Sequence, residues 1–114
     1  MGATYFALNR YKAMWLFVCF DLPVTTKEQR RIAARFRKDL LQDGFSMLQF
    51  SVYIRPCPSH ESYNVHLNRV KALVPPEGSV SLLRITDKQF GEIANFYGSK
   101  RKKPPPEPMQ LELF

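Results

Sequence analysis

The chain has 114 residues, 45% hydrophobic and 13% aromatic, which suits one folded domain that gains from a partner and excludes a disordered chain. Its net charge of +7 points to polyanions as partners, either nucleic acid or an anionic membrane. No apolar run approaches the roughly 20 residues that cross a bilayer, the start does not read as a signal peptide, and two isolated cysteines with two histidines fit a reducing cytoplasm rather than a zinc site.

Residues 1–13 form a basic-aromatic arm carrying Tyr5, Phe6, Arg10, Tyr11 and Lys12. Such an arm either packs along a sheet edge or stacks on bases and pairs with phosphates. Met14 to Phe20 is an unbroken apolar run that stops at Asp21, with Pro23 just beyond. A short aromatic-rich run closed by proline reads as a buried strand. Asp21 then stands where the strand leaves the sheet. A carboxylate among apolar neighbours needs a hydrogen bond, a cation or a metal, so Asp21 either anchors the turn or is the first functional candidate.

Thr25 with Glu28, or Thr26 with Gln29, has capping-box spacing, and the helix it opens should run to about Gln42 before Asp43-Gly44. Ile32, Phe36 and Leu40 form its apolar stripe, while Arg30, Arg31, Arg35, Arg37 and Lys38 cover much of the rest. With Lys27 at its start, this helix presents either a solvated basic face or a set of phosphate contacts. Phe45 to Ile54 is the second sheet region, long enough to be divided by a bend near Gln49 to Ser51. The prolines of Arg55-Pro56-Cys57-Pro58 should end it.

A second helix begins at Ser59, with Tyr63, His66, Leu67, Val70 and Val74 on its apolar side. His66 reads as a packing residue and His60 as solvated. Pro75-Pro76-Glu77-Gly78 is a turn, and Ser79 to Thr86 a further strand. Asp87 to Gly98 is compatible with helix or strand. From Lys100 a basic cluster and a polyproline stretch form a solvated spacer. The closing Leu111, Leu113 and Phe114 alternate like a strand that could add to another sheet's edge.

The order of elements, β-α-β-β-α-β, defines an α+β chain of ferredoxin-like plan over residues 14–98, flanked by the arm and a tail at 99–114. Two helices cover one face of such a sheet. The first strand is apolar on both faces, so the second face should be buried by self-association, most simply a homodimer. Two copies of Asp21 brought near one axis would suit Mg²⁺.

Phe20-Asp21-Leu22-Pro23, the basic helix, Gly44-Phe45 and Gln49-Phe50-Ser51-Val52-Tyr53 together resemble the small "second" CRISPR-associated protein. The arm, the long helix and Asp87-Lys88-Gln89-Phe90 are similar in form to versions from type II systems. The resemblance implies a ferredoxin-like homodimer with facing sheets, in which Asp21 of each subunit approaches a shared Mg²⁺. It implies a cytoplasmic partner of the CRISPR adaptation integrase that acts either as a metal-dependent endonuclease on RNA or DNA, or as a dimer bridging two integrase dimers on duplex DNA. Phe20 matches the aromatic residue before the family's Asp, Arg31 a basic residue of the first helix, and Arg55 a further basic position despite the prolines after it. Lys27, Arg30, Arg35 and Lys38 complete the expected nucleic-acid-binding set, and Leu111, Leu113 and Phe114 the docking segment.

One carboxylate per chain is thin for hydrolysis, and neither histidine is placed as a general base. The scaffold role is therefore favoured on physical grounds. A toxin-like ribonuclease and a non-catalytic RNA-binding ferredoxin-like domain are the competing readings. The latter requires a monomer with aromatic residues exposed on its sheet.

Overall fold

The computed structural model describes residues 13–102. The arm before residue 13 and the docking segment of Leu111, Leu113 and Phe114 lie outside the described residues. Nine elements follow in order: β1 (Met14–Asp21), α1 (Lys27–Gln42), β2 (Ser46–Gln49), β3 (Val52–Cys57), α2 (His60–Leu73), β4 (Ser79–Thr86), α3 (Asp87–Gly91), β5 (Asn95–Tyr97) and β6 (Lys100–Lys102). β1 to β4 form one sheet in the order β2-β3-β1-β4 with every neighbouring pair antiparallel. With both long helices on one face, this is the ferredoxin-like arrangement expected from the order of elements.

Side chains of β1 alternate between two layers. Met14, Leu16, Val18 and Phe20 point to the helices and form the main core with Phe36 and Leu40 of α1, Tyr63 and Val70 of α2, Phe45, Tyr53 and Cys57. Trp15 and Phe17 point to the other face and cluster with Ile54. Thr26 starts α1: its hydroxyl accepts from the Gln29 amide at 3.0 Å while the Gln29 side chain accepts from the Thr26 amide at 3.0 Å. This is the second of the two capping boxes offered by the sequence. Ser59 likewise caps α2, accepting from the Ser62 amide.

Three features differ from expectation. β3 continues through Pro56 to Cys57. It can do so because β2 pairs with β3 only as far as Ile54, so Pro56 has β1 alone as a neighbour and its missing donor faces no ladder. Asp87 to Gly98, ambiguous in sequence, contains both a short helix and a short strand, and the strand pairs with Lys100–Lys102 where a solvated spacer was expected to begin. Finally, the second face of the sheet is half covered from within the chain. Phe90 of α3 stacks on Trp15 with ring centroids 3.8 Å apart, Ile93 packs beside it, and the Trp15 indole donates to Asp87 Oδ1 at 3.0 Å. Trp15 and Phe17 are therefore buried without a second subunit.

Candidate functional site

Asp21 is the last residue of β1, and its odd position puts the carboxylate on the face away from α1 and α2. It is exposed and makes no ion pair among the described residues. α3 covers the opposite end of this face, around Trp15, and among the described residues no element covers the Asp21 end. There Cys19 precedes Asp21 on the same face, and Ser79 and Ser81 stand across from Asp21 and Cys19 in β4. Burial pushes the Cys19 thiol up, so it stays protonated and offers no thiolate beside the carboxylate.

The backbone at Asp21 is fixed from two sides. Gly78 approaches from the turn before β4 with φ +89°, and a Cβ there would lie 2.7 Å from the Asp21 carbonyl oxygen and 2.9 Å from Leu22 Cδ2. Only glycine tolerates both the conformation and the close approach. From the other side, the Phe20 amide donates to the Ser51 carbonyl at 3.0 Å, tying the β2–β3 turn to the end of β1.

That turn is held by Arg37. Its guanidinium lies 4.8 Å from the Phe20 ring centroid and 3.7 Å from that of Phe50, and it donates to the Phe50 carbonyl and to Ser51 Oγ. Arg37 thus belongs to the packing of this corner and not to the solvated basic face. The signal was present in the spacing: Arg37 stands four residues after Ala33 and three before Leu40, both buried, on the inward side of α1.

The other basic candidates separate into two groups. Lys27, Arg31, Arg35 and Lys38 follow one another at spacings of four, four and three, a single stripe on the side of α1 opposite Ala33, Phe36 and Leu40. All four are exposed. Arg31 pairs with Glu28 and Arg35 lies 3.9 Å from Asp39, pairings that leave both guanidinium groups largely in solvent. Arg30 and Arg55 are committed to the fold. Arg30 donates to the carbonyls of Val24 and Thr25 at 3.1 and 3.0 Å, closing the loop before α1. Arg55 donates to the Asp43 carbonyl at 2.9 Å, lying over Gly44, where a Cβ would collide with its Nη1.

Asp43, which ends α1, gathers a second polar cluster. Its carboxylate accepts from Arg69 at 2.8 Å and stands 2.8 Å from Nδ1 of the buried His66. Burial acts to raise the Asp43 carboxyl, but the hydrogen bonds from His66 and Arg69 outweigh it and hold the group below the ordinary carboxylate range. His66 is the satisfied packing residue its position suggested.

Among the described residues no three His, Cys, Asp or Glu side chains gather as a metal site. Asp21 is nevertheless an exposed, unpaired oxygen donor of the kind Mg²⁺ takes. Among the described residues one chain supplies one such ligand at this end of the sheet.

The topology, the strand-end carboxylate and the outward cation stripe define a small α+β protein with one basic helical face. The family model described as CRISPR associated protein Cas2 matches residues 14–93. Proteins described as CRISPR-associated endoribonuclease Cas2 are similar over most of the chain. That of Flavobacterium psychrophilum is 49% identical over 110 residues, 96% of each chain. That of Parvibaculum lavamentivorans is 52% identical over 101 residues, 89% of this chain and all of its own, and that of Paracidovorax avenae 41% over 107 residues, 94% of this chain and 99% of its own. The chain belongs to the Cas2 family of CRISPR-associated proteins.

Proposed function

We propose that the protein serves CRISPR adaptation as a homodimer that binds duplex DNA and partners the integrase in capturing and inserting new spacers. The observation that carries this reading is the separation of its charges. Lys27, Arg31, Arg35 and Lys38 lie on the outer face of the helical layer, whereas the Asp21 carboxylate lies on the far face of the sheet. Cations so placed hold duplex phosphates without reading sequence and without assisting chemistry at Asp21. The open half-face around Cys19, Asp21 and the exposed Leu83 is where a second copy seats, bringing the two carboxylates together. The segment containing Leu111, Leu113 and Phe114 then docks on the integrase by strand addition. The protein should sediment at twice its chain mass, and deleting residues 109–114 should abolish co-purification with the integrase. A monomer, or co-purification unchanged by the deletion, would remove the corresponding part of this reading.

A Mg²⁺-dependent endonuclease is the second reading, supported by the relatives' description as endoribonucleases. Asp21 from each of two copies would hold the ion, and within each chain the Gly78 and Ser51 contacts fix the backbone at the end of β1. Bound there, Mg²⁺ would neutralise phosphate charge and acidify an attacking water. Single-stranded RNA should then be cut only with Mg²⁺ present, and Asp21→Asn should lower the rate by at least about 100-fold, the scale of a missing electrostatic or acid–base contribution. Cleavage persisting in Asp21→Asn would assign it to a contaminant or another site.

A further inference from the structure

The ring of Phe50 is 72% exposed although it belongs to the tightest corner of the fold. The turn that carries it is not loose. Arg37 hydrogen-bonds the Phe50 carbonyl, and the next residue, Ser51, accepts from the Phe20 amide. One face of the ring rests on the Arg37 guanidinium at 3.7 Å, and the same guanidinium lies 4.8 Å from the Phe20 ring centroid. Its flanking residues are polar, Gln49 exposed and Ser51 half-buried. A lone aromatic ring among polar neighbours lacks the contiguous apolar patch of a protein–protein interface. It does have what a stacking platform needs: a fixed orientation, a free face and a cation behind it. The overall charge of +7 selects anionic ligands.

We infer that Phe50, backed by Arg37, is a stacking site for an unpaired nucleobase of a single-stranded nucleic acid. The inference rests on the nucleic-acid-binding reading above and deepens it: the stripe on α1 holds phosphates, and Phe50 receives an unpaired base.

The test compares three probes: a blunt duplex, a mixed-sequence single strand, and an abasic strand of the same length and charge. Wild type should bind the base-bearing strand more tightly than the abasic one. Phe50→Ala should lose affinity for the base-bearing strand by about 5- to 150-fold, the span of one base–aromatic stack. The same variant should bind the abasic strand and the blunt duplex as wild type does, and should remain folded at the assay temperature. Phe50→Trp, which keeps a ring on Arg37, should restore the difference. Equal affinity of wild type and Phe50→Ala for the base-bearing strand overturns the inference. So does equal affinity of wild type for the two strands, or a Phe50→Ala protein that becomes monomeric, which would assign the ring to an interface between copies. If the blunt duplex is not bound while the strands are still distinguished through Phe50, the duplex-bridging reading fails and the stacking site stands.

Discussion

Asp43 ties three elements of the fold together through its side chain and its carbonyl. It ends α1, takes hydrogen bonds from His66 and Arg69, and its carbonyl accepts from Arg55, so one residue joins α1, α2 and β3. Because its folded carboxyl is held below the ordinary range, the unfolded chain takes up the proton first as pH falls. The stability it contributes is therefore fully present above the ordinary carboxylate range and is lost as pH drops through the depressed folded value. Denaturation across the acid range should show wild type more stable than Asp43→Asn at neutral pH, with the gap narrowing as the medium becomes acidic. A gap constant through the acid range would mean that Asp43 acts through shape and not through charge. At this scale the sequence was half legible. His66 could be placed as a packing residue because it falls on the apolar side of its helix, but its partner lies 23 residues away and no spacing announces it. The inward place of Arg37 was legible from its spacing to Ala33 and Leu40, but its pairing with Phe50 was not, being created by the fold across 13 residues.

Local patterns are strongest along elements, and there the sequence was nearly fully legible. The capping box at Thr26, the end of α1 at Gln42, the division of the second sheet region at Phe50-Ser51 and the limits of β4 all follow from residue chemistry that acts over a few positions. α3 did not follow, because a five-residue helix has no periodicity of its own and is held by Trp15, 72 residues away, through Asp87. The basic face of α1 illustrates the limit of composition as evidence. Its cations look equivalent in sequence, yet Arg30 closes a loop, Arg37 holds a corner, and only Lys27, Arg31, Arg35 and Lys38 form an outward stripe. Replacing Lys27, Arg35 and Lys38 together by Glu should weaken duplex binding and shallow its salt dependence by about 0.9 in log–log slope for each phosphate no longer neutralised. Arg30→Glu should instead lower stability by loosening the 24–26 loop. An unchanged salt slope in the triple variant would return the stripe to an ordinary solvated surface.

The molecule as a whole has two faces of different character. Helices and cations cover one; the other is half sealed by α3 and open at the Asp21 end. The expectation that the second face needs self-association for its burial was drawn from a count of helices and did not foresee the short segment that folds back over Trp15 and Phe17. At the other end of this face the carboxylate stands apart from the outward stripe, and no metal cluster forms among the described residues. The central claim is that the protein acts in adaptation as a bridging dimer and not through hydrolysis at Asp21. The direct measurement is spacer integration in a reconstituted mixture with the cognate integrase, wild type against Asp21→Ala. Integration by the variant at a rate close to that of wild type is the predicted result. Integration abolished while the dimer and the integrase complex still form would contradict it and place the chemistry at Asp21 in the centre of the protein's function.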